Sequence, residues 1–315
     1  MVKIFGVLGG WPVLFANILE SYSYASRAVR NNCGEMMAGK FVPGTLILDS
    51  SFNKKEGEVT NQMLIKKGLE IGADYIVPKD YPNEIAKTIS SVTNFLEEYT
   101  EVCKSIAFDS TYKIGTSPIS PPKLLIPLQR PYEDCFHFFK DYEYFGLGGL
   151  LGLPPAEQLI HIKEGVKLLA SHKKKIHIFG IFPKGEILNF FHEHSDIITS
   201  FDTSVPATMA KHGKFLDIRQ NELPPGDQRL LGVDEDLLET CSSYAGETLG
   251  KHTTFLRYQL ARYNLYMLQT IVDFPDIGTR DPKNKGGISS RIKYPNGKVE
   301  VIIPKIPNNQ RRLFE

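Results

Sequence analysis

The chain has few cysteines, no long apolar run and almost no net charge. Its 315 residues include four cysteines, which lie far apart and form no Cys-x-x-Cys pair. This spacing predicts neither a disulfide framework nor a four-ligand zinc site. No apolar run approaches the roughly 20 residues that a membrane-spanning helix needs, and the first residues read as a strand rather than a signal segment. We therefore expect a reduced, soluble, cytoplasmic protein without a membrane partner.

The near-zero net charge conceals an asymmetry along the chain. The formal charge is +1 overall, but residues 279–315 hold nine Lys or Arg against three Asp or Glu, so they carry +6 and residues 1–278 carry −5. Such a basic segment is either a solubility feature or an arm that binds phosphate backbones. The candidate nucleic-acid-binding residues of this segment are Arg280, Lys283, Lys285, Arg291 and Lys293.

Strand-like and helix-like segments alternate through the first 200 residues. The predicted strands are residues 2–8, 45–49, 74–80, 123–129, 144–150, 175–180 and 197–202. The predicted helices are residues 12–30, 59–71, 84–101, 157–170, 184–194 and 253–272. Alternation of this kind predicts parallel strands joined by crossover helices. We predict an α/β fold, a (β/α)8 TIM-type barrel over residues 1–275 with a C-terminal closing helix, followed by a basic extended or hairpin tail over residues 276–315.

Polar residues stand where several predicted strands end. Asp49, Asp80, Gln129 and Asp202 are four of them, and Gly148-Gly149 at a fifth strand end leaves backbone N–H groups open to a flat ligand. In a barrel these strand ends meet on one face, so the acids would share a pocket. Two carboxylates there suit substitution at a sugar anomeric carbon, and a carboxylate with an amide matches a purine edge. The alternative for each acid is a helix cap or a surface ion pair.

The histidines give little further indication of a site. His192 and His194 lie two residues apart in a predicted helix, which puts them on different faces and argues against a shared metal. His137, His161 and His177 are isolated in the sequence. We interpret all five as structural or surface residues.

Four segments in a fixed order carry a family resemblance. They are Asp49-Ser50, Gly146-Leu-Gly-Gly-Leu150, His177-Ile-Phe-Gly180, and Phe201-Asp202-Thr-Ser-Val-Pro206 with the following Ala210-Lys-His-Gly213. Together they resemble the tRNA-guanine transglycosylase superfamily, and most closely its DNA-acting branch, the DNA 7-deazaguanine transglycosylases of phages and bacterial modification clusters. The resemblance extends from about residue 45 to residue 275.

The resemblance implies a base-exchange enzyme. It implies that guanine in DNA is replaced by a 7-deazaguanine, such as 7-cyano-7-deazaguanine, through a covalent intermediate on Asp202, with Asp49 as the general base. It implies a base-binding set made of Asp80, Gln129, Gly148, Gly149, Leu150, Phe179, Gly180 and Phe52. If the gene belongs to a phage, the enzyme would act in the host cytoplasm.

The chain departs from the tRNA-acting enzymes at several positions. Cys241 stands alone where those enzymes have a zinc site, Tyr263 replaces an expected His, and Ser51-Phe52-Asn53 replaces Gly-Gly-Phe-Gln. These differences imply that no metal cofactor is used and favour DNA over tRNA as the partner. Three alternatives stay open: a tRNA-guanine transglycosylase that lacks zinc, a non-catalytic nucleic-acid-binding accessory paralogue, and an unrelated barrel glycosidase.

Overall fold

The computed structural model describes residues 2–7, 9, 15–37, 40–50, 59–108, 113–114, 117–118, 120–183, 185–216, 222–223 and 254–273. The chain divides into two compact units, the first made of Met1–Pro183 and Glu193–Thr203, the second of Lys184–His192 and Ser204–Glu315. Several predicted positions lie outside the described ranges, namely Phe52, Cys241, Arg280, Lys283, Lys285, Arg291 and Lys293. Their predicted roles stay predictions.

The described residues contain fifteen short strands and eight helices. The strands are β1 (Lys3–Gly6), β2 (Asn17–Ser21), β3 (Gly34–Met37), β4 (Lys40–Pro43), β5 (Thr45–Asp49), β6 (Tyr75–Ile76), β7 (Lys113–Ile114), β8 (Ser117–Pro118), β9 (Lys123–Leu124), β10 (Ile126–Leu128), β11 (Tyr144–Leu147), β12 (Lys175–Ile178), β13 (Ile198–Thr203), β14 (Phe215–Leu216) and β15 (Glu222–Leu223). The helices are α1 (Arg27–Asn32), α2 (Asn61–Ile71), α3 (Ile85–Phe108), α4 (Tyr132–Phe139), α5 (Pro155–Ser171), α6 (Glu186–Glu193), α7 (Val205–Lys211) and α8 (Thr254–Asp273).

Nine strands of the first unit form one parallel sheet. Their order is β10-β11-β12-β13-β1-β2-β5-β6-β9. The two edge strands, β9 and β10, follow one another along the chain with only Leu125 between them. Because the two edges are halves of one interrupted strand, the sheet is nearly closed, and its eight strand positions follow chain order. This arrangement is compatible with a TIM-type barrel and confirms the predicted α/β class.

The prediction of a helix over residues 12–30 is wrong for the middle of that segment. Residues Asn17–Ser21 form β2, which pairs in parallel with β1 and β5. Four of its five residues are buried, so this segment shows neither the alternation of a half-exposed strand nor the stripe of a surface helix. The helix begins only at Arg27, where the Ser26 hydroxyl accepts a hydrogen bond from the Val29 N–H at 3.3 Å.

Apolar side chains from around the sheet meet in a single cluster. Its buried members are Phe5, Leu19, Ile47, Val77 and Leu125. They come from β1, β2, β5, the residue after β6, and the junction between β9 and β10, so they converge on the inside of the barrel. Each such side chain contributes about 1.5–3 kcal/mol when fully buried. These side chains therefore form an apolar core inside the barrel.

In the second unit, Asn264 on α8 joins separate backbone segments. The side chain is fully buried; its Oδ1 accepts from the Leu216 N–H at 2.8 Å, and its Nδ2 donates to the carbonyl oxygens of Lys214 (3.1 Å) and Pro206 (3.4 Å).

Helix α8 matches the predicted helix over residues 253–272, while its predicted role of closing the barrel stays a prediction. Among the described helices, none is long and apolar enough to cross a membrane.

Candidate active site

Asp202 lies near the C-terminal end of β13, and only 5% of its surface is exposed. Its neighbour across the sheet is Phe5 of β1. The Oδ1 atom accepts two hydrogen bonds, one from the Gly180 N–H and one from His177 Nε2, both at 3.1 Å. The carboxylate is therefore held through one oxygen at the strand end, where a barrel presents its chemistry.

Gly180 has a backbone conformation that suits its contact with Asp202. Its φ angle is +57°, a left-handed value that costs other residues roughly 1–2 kcal/mol. This turn directly after β12 points the Gly180 N–H at the carboxylate. The prediction placed Gly180 in the pocket lining, and the structure puts it in contact with Asp202.

His177 is a member of the site that sequence reasoning missed. It is fully buried on β12, with its ring edge-on to those of Phe5 and Phe179 at centroid distances of 5.6 and 4.7 Å. Its Nδ1 lies 2.8 Å from Ser200 Oγ, so both ring nitrogens are engaged. The signal in the sequence was a histidine between two isoleucines in the strand Lys175–Ile178, directly before the strand that carries Asp202.

A second group of predicted residues forms around Gln129. The side chain of Gln129 is fully buried, and its Nε2 donates a hydrogen bond to Asp80 Oδ2. Burial raises the pKa of the Asp80 carboxyl to about 6, although the hydrogen bond from Gln129 acts in the opposite direction. The Oε1 atom of Gln129 is buried and has no hydrogen-bond partner among the residues that the structure describes. A ligand with a donor group would satisfy it.

The glycines at the end of β11 make room for this amide. A Cβ at Gly148 would lie 2.5 Å from Gln129 Nε2, and a Cβ at Gly149, where φ is +70°, would lie 2.9 Å from Gln129 Oε1. Next to them, Leu150 is buried, and its carbonyl oxygen accepts from Gln158 Nε2 at 3.1 Å. Gly148 and Gly149 are thus packed directly on the Gln129 amide.

The group around Asp202 and the group around Gln129 are neighbours in the sheet, because β11 pairs with β12. Gly146 on β11 lies so close to the Phe179 ring that an added Cβ would come within 2.0 Å of it. Asp49 ends β5, with β1 and β2 between its strand and β13 in the sheet order. Beside it, Ser50 is buried, and its hydroxyl has no hydrogen-bond partner in the described part of the chain. The predicted residues thus lie at or just beyond C-terminal strand ends of one sheet, except for those outside the described ranges.

Within the described ranges, no group of three or more His, Cys, Asp or Glu side chains could hold a metal ion. In comparisons with known proteins, no family model matches this chain and no curated protein matches it.

Proposed function

We propose that this chain is a base-exchange transglycosylase that replaces guanine in DNA by a 7-deazaguanine such as 7-cyano-7-deazaguanine. The observation that carries the proposal is the arrangement of Asp202, whose Oδ1 is held by two donors at a strand end. A carboxylate fixed in this way suits nucleophilic attack, because its second oxygen has a defined direction.

In the first half of the reaction, Asp202 Oδ2 would attack C1′ of the target deoxyguanosine. The C1′–N9 bond breaks, its electron pair goes to N9, and a proton from the Asp49 carboxyl neutralises the departing guanine. The sugar is then bound to Asp202 as an ester, and the polynucleotide chain stays intact. A cationic transition state at C1′ is one that nearby carboxylates stabilise.

In the second half, the 7-deazaguanine would occupy the pocket that guanine has left. Asp49, now ionised, takes the N9 proton while N9 forms a bond to C1′. The bond between C1′ and Oδ2 breaks, and its electron pair returns to Asp202. Every proton and electron pair is balanced between the two halves, so one general acid-base residue serves both.

The Asp80–Gln129 pair supports recognition of a guanine-like base. An ionised Asp80 can accept from the N1–H and 2-amino groups, and the unpaired Gln129 Oε1 offers one further acceptor. A 7-deazaguanine keeps this same edge and differs only in the five-membered ring. Both bases therefore suit one pocket, as exchange requires. Gly148, Gly149, Leu150, Phe179 and Gly180 would complete its lining.

DNA is proposed as the polymer on the strength of the sequence resemblance and the lack of zinc ligands described above. A guanine stacked in a duplex cannot present C1′ to Asp202, so the nucleotide must be flipped out or already single-stranded, which costs a few kcal/mol. The basic segment of residues 279–315 is the proposed source of compensating phosphate contacts.

The test uses the full chain with single-stranded DNA, duplex DNA and tRNA in separate reactions. Labelled guanine or 7-cyano-7-deazaguanine is added, and label in the polymer and a denaturation-resistant protein–polymer adduct are measured. We expect label and adduct with DNA, neither with Asp202→Ala, and both with Asp196→Ala, which removes an exposed acid from the turn before β13. Label in tRNA alone would contradict the assignment of DNA as the polymer. Base exchange by Asp202→Ala at the wild-type rate would contradict the assignment of Asp202 as the nucleophile.

A further inference from the structure

A chain of hydrogen bonds extends from Asp202 into the interior of the barrel. Asp202 Oδ1 lies 3.1 Å from His177 Nε2, His177 Nδ1 lies 2.8 Å from Ser200 Oγ, and Ser200 Oγ lies 2.6 Å from the Tyr144 hydroxyl. His177 and Ser200 are fully buried, and Tyr144 packs against the apolar core cluster. The proposed reaction assigns no role to the last three residues.

The donors in this chain all point toward Asp202. An ionised carboxylate can only accept, so His177 Nε2 must carry the hydrogen. In the neutral ring, Nδ1 then accepts from the Ser200 hydroxyl, whose oxygen accepts in turn from Tyr144. Burial raises the pKa of the Tyr144 hydroxyl, which therefore keeps its proton and remains a donor. One tautomer of His177 satisfies all three contacts.

We propose that His177 is a positioning residue, which holds Asp202 Oδ1 so that Oδ2 attacks and which then helps Asp202 to leave the covalent intermediate. The inference rests on the function proposed above. His177 would not touch the substrate, and it acts through the carboxylate alone.

The second effect follows from the charge on Oδ1. In the free carboxylate this oxygen carries part of the negative charge, whereas in the glycosyl ester it is a neutral carbonyl oxygen. Hydrogen bonds to the charged form are the stronger ones. The donors at Oδ1 therefore stabilise the departing carboxylate more than the ester. Losing one of them slows the step in which the C1′–Oδ2 bond breaks and the pair of electrons returns to Asp202.

A purely structural role predicts a different result. The His177 ring packs between Phe5 and Phe179, so a histidine kept only for packing could be replaced by another ring. His177→Phe keeps a flat ring and removes the donor. His177→Gln loses the ring and keeps an amide donor. The two variants therefore separate packing from hydrogen bonding.

The experiment measures adduct formation and adduct breakdown separately in single turnovers with guanine-containing DNA, the breakdown being started by adding free base. We expect His177→Phe to slow breakdown by about 10- to 100-fold, the range for losing one hydrogen bond to a charged group, with a smaller change in formation, so that adduct accumulates. His177→Gln restores part of the breakdown rate. His161→Phe, at a histidine on α5 paired with Glu164, leaves both rates unchanged.

Folding is checked by thermal unfolding of each variant. His177→Phe removes the acceptor of the Ser200 hydroxyl. His177→Phe combined with Ser200→Ala is therefore measured as well and must show the same slow breakdown. In wild type labelled with ¹⁵N-histidine, the His177 signals must show a hydrogen on Nε2 and none on Nδ1.

Two outcomes overturn the inference. In the first, the ratio of the adduct-formation rate to the adduct-breakdown rate equals the wild-type ratio both in His177→Phe and in His177→Phe combined with Ser200→Ala. In the second, the neutral His177 ring carries its hydrogen on Nδ1. Wild type that forms no adduct and exchanges no base would instead contradict the proposed function itself, and that result is visible without any His177 variant.

Discussion

Gln129 donates a hydrogen bond to the Asp80 carboxylate, while its own carbonyl oxygen is buried without a hydrogen-bond partner in the described part of the chain. Burial of both groups is unfavourable for the ligand-free protein. The unpaired acceptor oxygen of Gln129 costs about 1–3 kcal/mol, and burial raises the pKa of Asp80 to about 6. A base with two or three donors on one edge would relieve both costs, which supports the proposed role of this pair in base recognition.

Replacing Asp80 by Asn should stabilise the protein in a pH-dependent way. The Asp80 pKa is raised from 3.8 to about 6 on folding, so the folded state binds this proton more tightly than the unfolded state. The resulting stability is fully present below pH 4 and is lost as the pH rises through 6. Asn carries no charge, so its free energy of unfolding does not fall in this way. The variant therefore becomes more stable than wild type as the pH rises from 4 to 7, by up to about 3 kcal/mol above pH 7.

The measurement is urea unfolding of wild type and Asp80→Asn at pH 4, 5, 6 and 7.5. Asp141→Asn, at an exposed acid after α4, serves as the control and should show no such trend. A stability difference for Asp80→Asn that is the same at all four pH values would contradict the assignment of the raised pKa.

Gly149→Ala should weaken base binding, whereas Gly152→Ala should not. The two glycines have similar left-handed φ angles, +70° and +83°, so each alanine costs roughly 1–2 kcal/mol of stability. Only at Gly149 does the new Cβ meet the Gln129 amide, at 2.9 Å; at Gly152 nothing lies within 4 Å. Calorimetry with guanine should show binding on the order of tenfold weaker for Gly149→Ala. Equal affinities for the two variants would count against the base pocket.

Gly146 and Phe179 should show strong energetic coupling. A Cβ at Gly146 would overlap the Phe179 ring, so Gly146→Ala should cost about 1–3 kcal/mol from overpacking. Phe179→Leu frees the space, and in the double variant the alanine should cost at least 1 kcal/mol less. Phe138→Leu, which changes an exposed phenylalanine on α4, should be additive with Gly146→Ala. Additive effects in both pairs would show that the ring does not occupy that position.

Asn264→Leu should destabilise the second unit by about 2–4 kcal/mol, because the buried N–H of Leu216 and the carbonyl oxygen of Lys214 lose their side-chain partner. Leucine has the same branched skeleton of four side-chain heavy atoms but bulkier methyl groups, so lost hydrogen bonds and some overpacking both contribute to the loss. Gln269→Leu, at a half-buried residue of the same helix, should cost less than about 1 kcal/mol. Chemical unfolding monitored by circular dichroism compares the two, and equal losses would contradict this role of Asn264.

The α/β class, most strand positions and the polar strand ends could be predicted from sequence. Strands such as β5 and β11 are short apolar runs whose boundaries depend on local composition. Asp49 and Gln129 could be picked out because a polar residue at the end of such a run is visible without any tertiary contact. Segment β2 could not, since it is buried on both faces and sits in a stretch whose composition also favours helix.

Only the tertiary structure decided which polar residues meet. Between β12 and β13 the pairing shifts by one residue, from Ile176 opposite Ile198 to His177 opposite Ser200. Without that shift His177 would face Thr199, whose side chain points to the other side of the strand from Asp202. The amino-acid sequence alone determined that a carboxylate would stand at the end of β13. The pairing register, which no local pattern specifies, determined that a buried histidine would hold it.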